Sequence, residues 1–499
     1  MFSARGLQWI HTCTGQHAVL PSLPDDPAVA SQPSSGLDLS LPPRTLAESY
    51  LDFFRKSHIK LEFPVIDTVM FQDTIQAAYM QMDGLPSPAS LIARTCVLAF
   101  LSVVSFFEGE NEFANLSADG NACALKAQHL LSKIGQDISL TTLQAMLMLS
   151  LHYLLSGNIP LSAMYHSSAC RITFMLGGHV VCDPWAQSSD EGTNGLDMHA
   201  RRHLRKLFWL CYTLDKEVSL RTGQPPCILD HHCDLTLPRG YLDIQYLDEY
   251  LFADAASLDE TAVPILPGDL RLAMIKSKAC RLLYSAEGLR KSDADLLRDI
   301  RELDEELERW RLSVPQKHRP VLSLSRNTSR WSEEDVPKSV RTVVITFEYH
   351  HLMTAIHQAT GRCRAWAAAG SGEIGSVRSS LALAVEASRS TLLSLRSAVQ
   401  GLLEKASWTI VFYPMSAVVT IFCNILWDPL NPRAQDDVEL LRATPDLIRH
   451  IRKRRLTENE MLHLKVAENF LAELARLGQH AIVKAREEYM ANEERCWSH

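Results

Sequence analysis

Residues 201–238 read RRHLRKLFWLCYTLDKEVSLRTGQPPCILDHHCDLTLP. The stretch opens as a basic amphipathic helix, runs into a Gly-Pro-Pro turn and ends in a short acidic loop closed by Leu-Pro. Leu207, Phe208, Trp209 and Tyr212 supply the large apolar surface, and each aromatic contributes roughly 2–3 kcal/mol when buried. Gly223 suits a left-handed C-terminal turn, and Pro225-Pro226 cannot continue the helix. Asp215 and Arg221 are expected to pair across that turn. Arg201, Arg202, Arg205 and Lys206 read as a polar face that is solvated or paired with carboxylates.

Outward from this stretch the pattern stays helical. Apolar positions recur at helix spacing over 45–59, 89–107 and 117–134. Residues 140–155 are apolar on nearly all sides, so they read as a central helix. The helix over 160–176 stops at Gly177-Gly178. A charged amphipathic stretch runs over 268–313, broken near Gly288 and Ser292 and stopped before Pro315. Residues 316–337 read as loop. Helices follow over 338–366 and 376–403, separated by Ala- and Gly-rich sequence. Thr457 and Glu460 have the spacing of a capping box for a last helix, which carries Met461, Leu464, Leu471 and Leu474 on one side. No run of alternating β-branched residues and no fixed-period repeat occurs. The expected fold class is therefore all-α: one large multi-helix domain with a flexible N-terminal segment. Its expected parts are a 1–43 segment with a Pro/Ser-rich linker, a 44–440 helical regulatory domain, and a 441–499 basic stretch and C-terminal amphipathic helix.

The 499 residues can bury a large core, and 46% hydrophobic with 22% charged residues is ordinary for a globular protein. A net charge of −8 argues against a generally basic nucleic-acid binder. Twelve cysteines are scattered with no Cys-x-x-Cys pair, a usage that suits a reducing compartment. The N-terminus has no apolar core of a secretory signal. Residues 406–427 carry no charge over a length that could span a membrane, but Pro414 and several hydroxyl and amide side chains point to a buried core helix.

Chemistry-bearing motifs are sparse. Gly370 to Gly375 spell G-x-G-x-x-G, without the preceding strand and the later acidic residue that the dinucleotide fold needs. His350 and His351, beside Glu348 and Tyr349, read as a solvated helix face rather than an acid–base pair. Cys227, His231, His232 and Cys233 resemble metal ligands, but adjacent side chains cannot easily aim at one tetrahedral centre. No catalytic or metal residues are assigned, and no enzyme is expected. Arg449, Arg452, Lys453, Arg454 and Arg455 form a basic run suited to nuclear import or phosphate contact.

Residues 201–238 resemble the signature of the fungal-specific transcription factor domain, the middle homology region of fungal zinc-cluster regulators. The matching positions are Arg201-Arg202, Leu207-Phe208-Trp209, Leu214-Asp215, Ser219-Leu220, Gly223, Pro225-Pro226, Asp230, Asp234 and Leu237-Pro238. A second block, MSAVVTIFCNILWDPLNPRAQDDVELL (415–441), is similar to the family's late block. YLDFFRKSHIKLEFPVID (50–67) resembles its opening, and RGLQWI (5–10) resembles a segment that follows the DNA-binding head. The resemblance implies a nuclear transcription regulator of a pathway or secondary-metabolite gene cluster, whose helical domain restrains or licenses activation. It implies protein partners: a second copy, a zinc-cluster regulator, or the transcription machinery. The family's six-cysteine zinc head is missing from this sequence, so no cofactor is expected. DNA contact is expected to be indirect, or to depend on a zinc cluster encoded upstream. The alternative is a helical small-molecule-binding or protein-interaction module with Met146, Met148, Met164 and Met175 lining a pocket.

Overall fold

The computed structural model describes residues 2–21, 38–57, 59–80, 87–107, 118–134, 137–180, 195–238, 240–246, 268–322, 340–363, 374–399, 412–450 and 458–497. All regular elements among the described residues are helical. The chain packs as two compact units. One comprises Pro33–Leu289 with Ser313–Pro315; the other comprises Met1–Gln32, Arg290–Leu312 and Gln316–His499. The break read near Gly288 and Ser292 thus coincides with a change of unit, while the boundary read at 440 falls inside a continuous helix, Ala434–His450.

The N-terminal helix α1 (Ala4–Thr14) belongs to the second unit. The first unit starts with α2 (Arg44–Lys56), α3 (Met70–Tyr79), α4 (Pro88–Val104), α5 (Gly120–Ile134), α6 (Leu140–Leu155) and α7 (Ile159–Met175). It continues with α8 (Gly195–Thr222) and α9 (Leu270–Ala279). Local signals start these helices. Ser87 and Ser139 each accept a hydrogen bond from the amide three residues on, as does Asn158 ahead of α7. The α4 helix packs on α3, α5 and α6, and α6 in turn packs on α7. Apolar residues surround α4 and α6, so neither has a wet face: Cys96 through Leu101 and Leu147 through Leu149 are fully buried. Residues Pro88–Phe107 form the one described helix long and apolar enough to cross a membrane, and 72% of its most apolar window is buried inside the protein.

The second unit holds α10 (Asp293–Ser313), α11 (Val340–Gln358), α12 (Ile374–Val399), α13 (Phe412–Trp427), α14 (Ala434–His450) and α15 (Glu458–Trp497). Residues 412–427 of the candidate span read over 406–427 form α13, whose Val418, Ile421, Phe422 and Ile425 are fully buried against α12, α14 and α15, while 406–411 lie outside the described residues. Arg389 of α12 makes a two-pronged ion pair with Asp437 of α14, Nε to Oδ1 and Nη2 to Oδ2, both at 2.7 Å. Glu386 joins it at 3.3 Å from Arg389 and 2.8 Å from Arg433. Capped by Ser3 and ended by Gly15 at φ 69°, α1 buries Ile10 and packs on α13 and α15. Lys484 of α15 donates to the Thr12 carbonyl at 2.6 Å, and the Val19 amide donates to Glu473 at 2.8 Å. The linker residues 22–37, the Gly-rich positions 364–373 and the capping box at Thr457 and Glu460 lie outside the described residues or side chains.

The solvated face expected at His350 is overturned. Glu348, Tyr349 and His350 are all buried on α11, a helix enclosed by α12, α13 and, through Trp310 stacked on Tyr349 at 6.1 Å, α10. Burial holds the His350 imidazole down at about 4, only partly offset by the bond between its Nε2 and the Val321 carbonyl. An unfolded histidine titrates near 6.5. Above that pH both states are neutral and the fold keeps its full stability. As the pH falls from about 6.5 to 4 the unfolded chain takes the proton first, so stability drops by about 3 kcal/mol across this window. Urea unfolding at pH 7 and pH 4.5 should show this loss, with a smaller loss for His350→Gln. An unchanged slope in the variant would assign the acid lability elsewhere.

Candidate functional site

The signature helix α8 holds the loop that follows it through a buried ionic network. Leu207, Phe208, Trp209 and Tyr212 are buried at 1% exposure or less, with Trp209 edge-on to both Phe208 and Tyr212 at 5.3 and 5.7 Å. Gly223 then takes φ 71°, its amide bonding back to the Ser219 carbonyl at 2.9 Å. The chain therefore reverses over Pro225-Pro226 and returns along α8. Asp215 receives it: Oδ1 accepts the Cys227 amide at 2.8 Å and Oδ2 accepts the Ile228 amide at 3.0 Å. Lys216, fully buried, sits 3.0 Å from Asp215 Oδ2 and donates to the Ile228 carbonyl. Further along, Asp230 accepts from Tyr212 at 3.0 Å and from Ser277 of α9 at 2.7 Å. Glu217 bonds Lys276 of α9 on one oxygen and Arg221 at 2.7 Å on the other.

Adding a Cβ at Gly223 would meet no atom within 4 Å, so only the backbone conformation opposes a side chain there. Gly223→Ala should therefore cost about 1–2 kcal/mol. A urea titration showing no loss would mean the turn tolerates another conformation.

A tight cluster of side chains lies where α7, α8 and the loop meet. His166 and Cys170 stand one turn apart on α7, with Nε2 and Sγ 3.2 Å apart. Asp215 Oδ1 is 3.7 Å from His166 Nε2. Cys227 turns in from the loop: its Sγ is 3.3 Å from Ser167 Oγ and within hydrogen-bonding reach of Cys170. The Cys170 contact pulls the Cys227 thiol down to about 6, against the effect of burial. Burial pushes the Cys170 thiol up. For His166, burial pulls the imidazole down, but Asp215 together with Cys211 and Cys227 outweighs it and the net shift is upward.

The sequence profile described as the fungal specific transcription factor domain matches residues 52–312, which include the whole of this loop network and the packed helices that carry it. The chain belongs to the fungal-specific transcription factor domain family. Two relatives named "ABC-transporter-regulating transcription factor", from Aspergillus fumigatus and Aspergillus oryzae, are each 26% identical over 99% of this chain and 55% of their own length. The "Fusaridione A cluster transcription factor" of Fusarium heterosporum is 25% identical over 60% of this chain and 52% of its own. The chain spans about half the length of the curated relatives it matches. No solved structure matches it.

Within this fungal transcription factor domain, the signature residues fall into distinct positions. Arg201 and Arg202 are exposed, and Arg202 reaches the Met198 sulfur at 3.3 Å. Arg205 departs from the expected solvated or carboxylate-paired face. Its guanidinium lies over the Phe208 and Trp209 rings at 4.5 and 5.0 Å and donates to the carbonyls of Gly178 and Asp234. The expected Asp215–Arg221 pair is replaced by Arg221–Glu217 and by Asp215 on the loop amides. Six residues advance a helix by about 600°, so positions 215 and 221 face different ways, whereas 217 and 221 are neighbours. Pro225, Pro226 and Pro238 lie on the surface side of the loop.

The four ligand-like residues of the loop do not converge. The His231 and His232 rings lie 4.1 Å apart, tilted by 50°, on the exposed side, Cys233 bonds the Leu229 carbonyl, and the exposed Cys227 stands beside Ser167. Its companions, His166 and Cys170, escaped the sequence reading. Their H-x-x-x-C spacing was the available signal, since it places two soft donors on one helix face. The methionines do not line one pocket: Met148 is buried, but Met164 and Met175 are 68% and 55% exposed on the wet face of α7. In the basic run, Arg449 pairs with Glu468 at 2.6 Å and Asp446 at 2.7 Å, and residues 452–455 lie outside the described residues.

Proposed function

We propose that this chain is the regulatory scaffold of a nuclear fungal transcription regulator and performs no reaction of its own. The profile match across the packed α2–α9 region carries this reading. The signature supports it physically, because its charges are used to hold a loop: Asp215, Lys216, Glu217 and Lys276 neutralise one another while bonding backbone or each other. Such a network suits a scaffold whose loop is held or released, and it leaves DNA contact to a zinc-cluster segment or partner. The names of the Aspergillus relatives suggest ABC-transporter genes as targets, and the Fusarium relative suggests a secondary-metabolite cluster.

Comparing transcripts of a deletion strain with those of its parent tests the target class. Loss of transporter or cluster transcripts, with the tagged protein occupying their promoters, is expected; no transcript change in either group would end the proposal. The basic run supplies a second check. Replacing Arg449, Arg452, Lys453, Arg454 and Arg455 with Ala in a fluorescent fusion should shift the protein from nucleus to cytoplasm, and unchanged nuclear accumulation would refute an import role.

A further inference from the structure

We infer that His166, Cys170, Asp215 and Cys227 form a binding site for a zinc-class divalent cation, separate from any six-cysteine DNA-binding head. This goes beyond the transcriptional reading and does not depend on which genes are regulated. The donor atoms of His166, Cys170 and Asp215 lie within 4.8 Å of one another, and all three residues are buried. Metal–ligand bonds of about 2.0–2.3 Å in a tetrahedron set donor–donor edges of roughly 3.3–3.8 Å. The observed edges are 3.2 Å for His166–Cys170 and 3.7 Å for His166–Asp215. Cys227 lies outside this spacing: its exposed thiol stands beside Ser167 at 3.3 Å and would turn in from the loop to supply a fourth ligand.

The donor chemistry is selective. Two thiolates and an imidazole favour a zinc-class ion over calcium or magnesium, which take oxygen ligands. Asp215 divides its two oxygens between tasks. Oδ2 faces Lys216 and the Ile228 amide, so the lysine charge is spent there; Oδ1 faces His166 and the Cys227 amide. The second buried thiol nearby, Cys211, reaches Thr173 Oγ1 at 3.6 Å and also bonds Cys170. A bound cation would tie α7, α8 and the loop together at one point, adding to the hold that Asp215 already has on the loop backbone. Occupancy would thus report metal supply to the same loop that the ionic network restrains.

The probe is cobalt(II), added to the reduced, metal-free full chain in the presence of a phosphine reductant. One equivalent should bind with a thiolate-to-cobalt charge-transfer band and the intense visible bands of four-coordinate cobalt. Zinc should abolish both and raise the melting temperature. Cys227→Ser, on the open side of the cluster, and Cys170→Ser should each lose much of the charge-transfer band and weaken zinc binding roughly tenfold or more. His231→Ala/His232→Ala should leave the band intact. If Cys170→Ser fails to fold by circular dichroism, Cys227→Ser alone decides. The proposal is overturned by a wild-type chain with no such band, by a band that survives in folded Cys227→Ser, or by a band that vanishes with the His231/His232 variant. It is equally overturned if a mild peroxide joins Cys170 to Cys227 at the same rate with and without zinc.

Discussion

Arg389→Ala should destabilise the second unit by about 3–5 kcal/mol. The guanidinium bridges Asp437 with two bonds and Glu386 with a third, and Arg389, Glu386 and Asp437 are all nearly inaccessible to water. Removing the cation leaves two carboxylates with Arg433, at 2.8 Å from Glu386, as the cation still paired with them among the described residues. The cost of a stranded buried charge exceeds what the pair itself contributes, so the partner deletion is more harmful than replacing the group as a whole. Two comparisons make the test specific. Arg389→Lys keeps the charge but cannot reach both oxygens of Asp437, so it should lose less than Ala. The triple replacement Arg389→Met/Glu386→Gln/Asp437→Asn should recover part of the loss. Urea denaturation followed by fluorescence measures all three, and an Arg389→Ala loss below about 1 kcal/mol would show that the pair is open to solvent.

Trp209→Ala should remove roughly 3–5 kcal/mol from the first unit. The indole is 1% exposed, edge-on to Phe208 and Tyr212, and covered on one side by the Arg205 guanidinium. Deleting it opens a cavity and also strips Arg205 of one of its two rings, loosening the hold of that side chain on the Gly178 and Asp234 carbonyls. The indole Nε1 is buried with no hydrogen-bond partner among the described residues. Trp209→Phe therefore loses no bond and should cost only about 1–2 kcal/mol. A small effect of the Ala variant, under about 1 kcal/mol, would mean that Trp209 is not part of the core.

The fold was legible wherever a helix carried its own start, stop and periodicity. The reading over 140–155 returns as Leu140–Leu155, because Ser139 caps it and its apolar residues leave it only one environment. The helix over 160–176 returns as Ile159–Met175, with Gly177 at φ 81° as the stop. Polar residues were harder to place. His350 and Glu348 looked solvated by type, yet α11 is enclosed on several sides and takes them inside. A helix in that position imposes burial that no local pattern announces. The loop network was half legible: the aromatics, Gly223 and the importance of Asp215 followed from the residues, while the partners of Asp215 did not. Its contacts to Cys227 and Ile228 span a reversal of the chain, and its closeness to His166 joins helices 49 positions apart in sequence. Such pairings are settled by packing between elements, which periodicity within one element cannot reach. For the same reason the acidic pair of the late block gave no hint that Asp437 would meet Arg389.

The interleaving of the two units has a bearing on how the chain matures as it leaves the ribosome. Nearly all of the first unit lies in one continuous run, Pro33–Leu289, so its helices can assemble while the remainder is still being made. The second unit has no such opportunity: α1 precedes the first unit in the chain, yet it buries Ile10 and packs on α13 and α15, which follow that unit. That helix must therefore wait, with its apolar side uncovered, until α13 and α15 have been made. A nascent chain arrested before residue 458 should consequently carry a finished first unit and an α1 still open to chaperones.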